Sequence, residues 1–256
     1  MLARVFNTKL YRMKSKMTTS RALETVLIMT NAALYAVVGY MTYFGVFVGA
    51  VRFWPAVVIP AVFAVVYSPR IGALGAGLGI FISDMLIHGD PVLSITVGVT
   101  ANIAGFYILG ALAKILQPEG RGRELILLLQ TLPLVISILS ILFGFIELGP
   151  GLVYLGVATL SLAIGIFYSF YKPIYSGIVA ASSLGLMVGS TIIGLGVWAY
   201  SQFFSLPAVA GGGAQLPLTA AAIWFLWTYL TEIPFLMTLV PPLVAAVRKA
   251  VPLPAR

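Results

Sequence analysis

Residues 52–91 read RFWPAVVIPAVFAVVYSPRIGALGAGLGIFISDMLIHGDP, two apolar runs that meet at Ser68, Pro69 and Arg70 and carry Arg52, Asp84, His88 and Asp90 at their far ends. This pattern reads as a hairpin of helices whose polar cluster opens to one side of a membrane. Ionisable groups at the ends or inside of membrane spans are costly unless they face protein, water or ligand, so a functional site is first sought at that end of the hairpin.

The rest of the chain repeats the apolar pattern. Of 256 residues, 61% are hydrophobic and 9% charged, and the mean hydropathy is +1.06, which excludes a soluble globule. Runs near the roughly 20 residues that cross a bilayer, without alternating apolar and polar strands, predict an all-α integral membrane protein rather than an outer-membrane barrel. Spans are expected near 23–49, 53–67, 70–87, 92–116, 125–148, 151–171, 174–203 and 219–247. The second is short, and a re-entrant segment could replace two short spans, so the reading is a bundle of six to eight transmembrane helices. Residues 1–22 form a basic leader with Arg4, Lys9, Arg12, Lys14, Lys16 and Arg21 and no acid, 23–247 a single helical domain, and 248–256 a tail.

Charge placement orients the chain. If the leader is cytoplasmic, Arg70, then Lys114, Arg121 and Arg123, then Lys172, then Arg248 and Lys249 all fall inside, and Arg52 alone among the bases falls outside. That segregation follows the positive-inside rule and places both termini on the cytoplasmic side of the cell membrane. It also accounts for the formal charge of +8 through the lipid bilayer, so no nucleic acid partner is expected. With no cysteine and one histidine, neither disulfides nor a metal site of nitrogen and sulfur ligands is expected, and no cofactor is called for. No GxxxxGK[ST], HExxH, GxSxG or paired-aspartate motif occurs, so the chain is expected neither to be an enzyme nor to hydrolyse ATP through a P-loop of its own.

The polar residues within the apolar runs are the candidate site. Asp84 and His88 are four apart and share one helix face, where they could hydrogen-bond each other or a solute, or simply form a solvated helix end. Arg52 precedes Phe53 and Trp54, a grouping that could grip an anion and stack a ring, or act as an interfacial anchor. Glu232 falls near mid-membrane in the last span. Thr228 lies one turn earlier, with Trp224 and Trp227 above, so this group could line the floor of a solute cavity, or Glu232 could be a neutral structural acid. Asn31 and Asn102 are expected to hydrogen-bond between helices. Small residues four apart, Ala32 with Ala36, Gly45 with Gly49, Ala73 with Gly77, Gly75 with Gly79 and Gly185 with Gly189, mark close helix contacts.

The order of basic leader, Ala-rich first span (NAALYAVVGY), Arg52 in an outer loop, short Pro-containing helix (PAVVIPAVFAVVYSP), Gly-rich third span and Gly-Asp-Pro turn resembles the substrate-binding S component of energy-coupling factor (ECF) transporters over about residues 25–116. Pro234, Pro241 and Pro242 echo the proline-rich end of that family's last span. The resemblance implies an S-component-like core, docking of Ala32 and Ala36 on a transmembrane coupling subunit that works with two ATPase subunits, and capture of a vitamin-sized nutrient at the outer helix ends, where Arg52, Asp84 and His88 lie. Leu2 stands where similar metal-specific S components carry a histidine. The family core has six spans, so either two helices between about 151 and 203 are additions or the division into eight is too fine. The expected function is therefore substrate binding for an ATP-driven importer, with Arg52, Trp54, Asp84, His88, Trp224 and Glu232 at the site and a partly anionic aromatic solute suited to Arg52, Trp54 and Trp224. Two alternatives stand beside it: a lone proton-coupled secondary carrier using Glu232, and a structural or sensory membrane subunit that binds no solute.

Overall fold

A computed structural model describes residues 21–42, 47–48, 51–52, 54–116, 122–208 and 212–250, with the backbone alone for the four residues 47–48 and 51–52. The expectations for residues 1–20, for Gly45 with Gly49, for Arg121 and for residues 251–256 lie outside the described residues, as does the Arg52 side chain. Among the described residues, seven helices are long and apolar enough to cross a membrane: α1 (Arg21–Met41), α3 (Pro69–Ile87), α4 (Pro91–Leu116), α5 (Arg123–Leu142), α6 (Leu148–Phe170), α7 (Pro173–Ser201) and α8 (Thr219–Ala250). The eighth, α2 (Pro55–Val66), spans about 18 Å at the usual helical rise and is too short to cross a hydrocarbon layer of about 30 Å. The protein is an all-α, multi-pass membrane bundle.

Several helix ends differ from the hydropathy reading, each for a local reason. The first span, expected to reach residue 49, ends at Met41. Beyond it β1 (Phe47–Val48) and β2 (Val51–Arg52) pair antiparallel, Phe47 opposite Arg52. Apolar β-branched residues continue the hydropathy of a span without continuing its helix. The fifth ends at Leu142 rather than 148. Gly144 takes a φ of +69°, and the Phe145 and Ile146 amides both donate to the Ser140 carbonyl, at 2.9 and 3.2 Å. A left-handed glycine of this kind closes a helix by satisfying its last carbonyls. Helix α8 runs through Ala250, so Arg248 and Lys249 occupy its last turn rather than a tail.

The bundle is built around α4, α7 and α8. Helix α7 packs along both of the others, the α1–α3 pair lies against α4, and the α5–α6 hairpin lies against α7 and α8. Helix α2 is inserted among α3, α4 and α8, with Ala61 and Ala64 fully buried. Without a hydrophobic force between helices in lipid, such contacts depend on close approach of small residues. At the α4–α7 crossing, a Cβ placed on Gly105 would lie 3.0 Å from the Gly185 carbonyl oxygen.

The same logic corrects the expectation for Ala32 and Ala36. They are 3% and 5% exposed, and their helix packs along α3, where a Cβ on Gly79 would lie 2.8 Å from the Ala32 carbonyl oxygen and one on Gly75 would meet the Asn31 side chain. Asn31 tightens this seam by donating to the carbonyls of Ile71 and Gly72, at 3.1 and 3.2 Å. Ala32 and Ala36 are therefore internal packing positions and offer no surface to a coupling subunit.

Successive helices run antiparallel, which sorts the charges. Arg70 pairs with Glu24 at 3.4 Å, and Ser169 donates to the Arg123 carbonyl at 3.3 Å, so the beginnings of α1, α3 and α5 share one end of the bundle with the end of α6. Lys114, Lys172, Arg248 and Lys249 belong to that end by helix direction. His88, Asp90 and Glu147 belong to the opposite end, together with the β-hairpin.

Candidate functional site

Polar groups expected at the site converge on one cavity of about 130 Å³ in the acid-bearing half of the bundle. Helix α3 contributes Asp84 and His88, α8 contributes Thr228 and Glu232, and Trp54 enters at the start of α2. These are residues that the sequence marks as anomalous in apolar runs, and the fold brings them onto one wall system. Asp84 is 2% exposed and Glu232 7%.

Asp84 is held from two sides. Ser94 Oγ donates to its Oδ2 at 2.7 Å, and His88 Nε2 lies 3.5 Å from its Oδ1. The His88 ring is oriented in turn, because its Nδ1 accepts the Asp90 amide hydrogen at 3.1 Å, leaving Nε2 to carry the ring hydrogen toward Asp84. Gly98 gives this carboxylate its space, since a Cβ there would lie 2.6 Å from Oδ2. Ser94 and Gly98 stand in a π-helical turn, Ser94–Val99, that interrupts α4 beside the cavity. Such turns within α-helices are frequent at functional sites.

Asp90 caps α4 and ties it to α7. Its Oδ1 accepts from the Val92 and Leu93 amides, both at 3.0 Å, and its Oδ2 accepts from the Tyr200 hydroxyl at 2.6 Å. Burial pushes the Asp90 carboxyl up, but the hydrogen bonds from Leu93, Tyr200 and Val92 outweigh burial and hold it below its ordinary value of 3.8. A depressed carboxylate stabilises the fold above its unfolded pKa, and this contribution is lost as pH falls from about 3.8 through the lower folded value. Asp90→Ala is expected to remove cap and tie together and to destabilise the protein by about 1–2 kcal/mol at neutral pH. The measurement is the thermal midpoint of unfolding, and the gap between variant and parent should narrow on acidification below pH 4.

The aromatic side of the cavity centres on Tyr35. Its ring meets Trp54 and Phe106 edge to face, at 6.0 and 6.2 Å between centroids, and its hydroxyl donates to Asn102 Oδ1 at 2.8 Å. Asn102 therefore acts between helices as expected and also lines the cavity. Across from these groups, α7 presents Gly185, Gly189 and Ser190. Ser190 Oγ is buried with no hydrogen-bond partner among the described residues.

One expected site residue falls elsewhere, and the side chain of another lies outside the described residues. Trp224 is not on the wall; it packs with Leu206 and with Leu93, Val97 and Val197, and the last three do line the cavity. Its carbonyl accepts from Thr228 Oγ1 at 2.8 Å, so it supports the wall from behind. The Arg52 side chain is outside the described residues, but its strand β2 lies against α8, the helix of Thr228 and Glu232. Sequence reasoning passed over Tyr35, Ser94, Phe106 and Ser190. Tyrosines, serines and phenylalanines occur throughout these helices, and nothing in their spacing distinguishes these four.

The fold and site together define a class: a polytopic helical membrane protein with a partly open, mainly apolar cavity between its helices, into which a few buried polar groups converge. Comparison with protein-family models, curated proteins and solved structures finds no match to this chain.

Proposed function

We propose that this protein is a membrane-embedded substrate-binding subunit that captures a small organic nutrient in the cavity, and that a coupling subunit and two ATPase subunits complete its import, as the resemblance to ECF S components implies. The observation that carries the reading is the convergence of Trp54, Asp84, His88 and Glu232 on one cavity from three separate elements. Ionisable groups at such depth are expensive and mark solute or ion sites by default. The positive-inside rule sets the base-rich end toward the cytoplasm and the cavity half toward the outside. Because Ala32 and Ala36 are internal, docking on a coupling subunit falls to another face of the bundle.

The test is thermal unfolding of the purified protein in lipid nanodiscs against a panel of vitamins, precursors and related nutrients. One panel member is expected to raise the midpoint of the parent protein in a saturable way. The reading is abandoned if the folded protein responds to none of them.

A second reading is favoured by one observation. Glu232 stands well inside α8, 7% exposed, on the cavity wall. A carboxylate so placed suits a proton-coupled carrier that works alone. Uptake by proteoliposomes holding only this chain, driven by a pH gradient and lost in Glu232→Gln, would decide for the carrier.

A further inference from the structure

The cavity's size, charge and aromatic wall narrow the kind of solute it fits, an inference that rests on its being a solute site. We infer that the ligand is a single-ring aromatic amine or amidine, a flat monocycle bearing a cationic, N–H-rich group.

Size comes first. A cavity of about 130 Å³ is close to the engineered cavities of about 150 Å³ that hold benzene. One six-membered ring with a short substituent fills it, and the rest of any larger solute would have to extend through its open side.

Charge gives the sign. Among the described wall residues the carboxylates are Asp84 and Glu232, His88 is the one basic side chain, and neither Lys nor Arg is present. A buried cation is tolerated where carboxylates offset its lost hydration, while an anion placed between two carboxylates is repelled. Both acids already have partners. A carboxylate nevertheless offers about four acceptor positions, so Asp84 can hold Ser94 and still accept from a ligand N–H. The partly anionic solute expected from Arg52 rests on a side chain outside the described residues.

The aromatic wall and Ser190 fix the rest. Trp54, Tyr35 and Phe106 make one wall aromatic, which suits a flat ring, and a cationic substituent gains from aromatic neighbours. Ser190 Oγ, fully buried and unpartnered among the described residues, gives the ligand a further hydrogen-bonding point. A buried hydroxyl without a partner is costly, and a polar edge of the bound solute would remove that cost.

The experiment uses the full chain in nanodiscs, with benzamidine as the probe and benzoate, of the same size and opposite charge, as its counterpart. Binding is read by calorimetry and by the thermal midpoint. Benzamidine is expected to bind saturably, Ser190→Ala to weaken it several-fold, and Glu232→Gln to weaken it about tenfold or more. Ser190→Ala keeps the test decisive if the Glu232 variant fails to fold, because it removes one oxygen from a wall that stays packed. Benzoate binding in place of benzamidine, still weakened by Ser190→Ala, would overturn the solute class and leave the cavity as a solute site. Silence from both probes, with a larger nutrient bound from the panel, would also overturn the class. Silence from probes and panel alike would remove the solute-binding reading with it.

Discussion

Gly185→Leu is expected to leave almost no folded protein. A Cβ at this position would lie 2.6 Å from the Gly105 carbonyl oxygen and 2.7 Å from Leu109 Cβ, and backbone in that contact cannot rotate out of the way. Helices α4 and α7 form the most extensive pairing in the bundle, and both line the cavity. Overpacking usually costs about 1–3 kcal/mol where side chains can yield. Here the helix axes themselves must separate, so the loss should be larger than that range. The measurement is the yield of monodisperse protein from mild detergent, with its thermal midpoint. Gly156→Leu is the control, because a Cβ on Gly156 meets nothing within 4 Å, and it should behave like the parent.

Trp54→Ala is the second substitution with a large expected effect. Trp54 is 3% exposed, its ring fits the notch left by Gly39 on α1, and it packs edge to face on Tyr35. Removing a buried tryptophan typically costs about 3–5 kcal/mol, because the surroundings relax only partly into the hole. The ring also forms part of the cavity wall, so the variant should have both a depressed thermal midpoint and weakened binding of ring-sized solutes. Trp54→Phe should recover much of the stability. If Trp54→Ala binds and melts like the parent, the ring is neither a wall nor a wedge.

What could be read from the sequence was what hydropathy and isolated charge encode. Apolar runs between Pro and Gly breaks located every helix among the described residues, and the short second run correctly implied a segment that fails to cross. Asp84, His88, Trp54 and Glu232 stood out because charge or a large amphipathic ring is conspicuous in an apolar run. Spacing says which residues share a face but not which neighbour covers it. Ala32 and Ala36 are both buried within the chain's own bundle, Ala32 against Gly79 of α3. Trp224 shares the side of α8 that carries Thr228, yet Leu93, Val97 and Val197 stand between it and the cavity. Tyr35 and Ser190 acquire meaning only when five helices meet, a long-range fact with no local signature.

The π-helical turn at Ser94–Val99 sets the rotational phase of the helix on either side of it. Such a turn holds one residue more than the α-helix needs to cover the same contacts, and each α-helical residue turns the chain by about 100°. The two halves of α4 are therefore out of phase with each other, and the extra residue keeps Ser94 on Asp84 and Asp90 on Tyr200 while Gly105 still meets Gly185. Descendants of a common ancestor that lost this residue would show a one-position gap between 94 and 99, and with it a rotated mouth to the cavity. The length of a single turn thus sets the phase between the two halves of α4, and with it which residues each half turns toward the cavity.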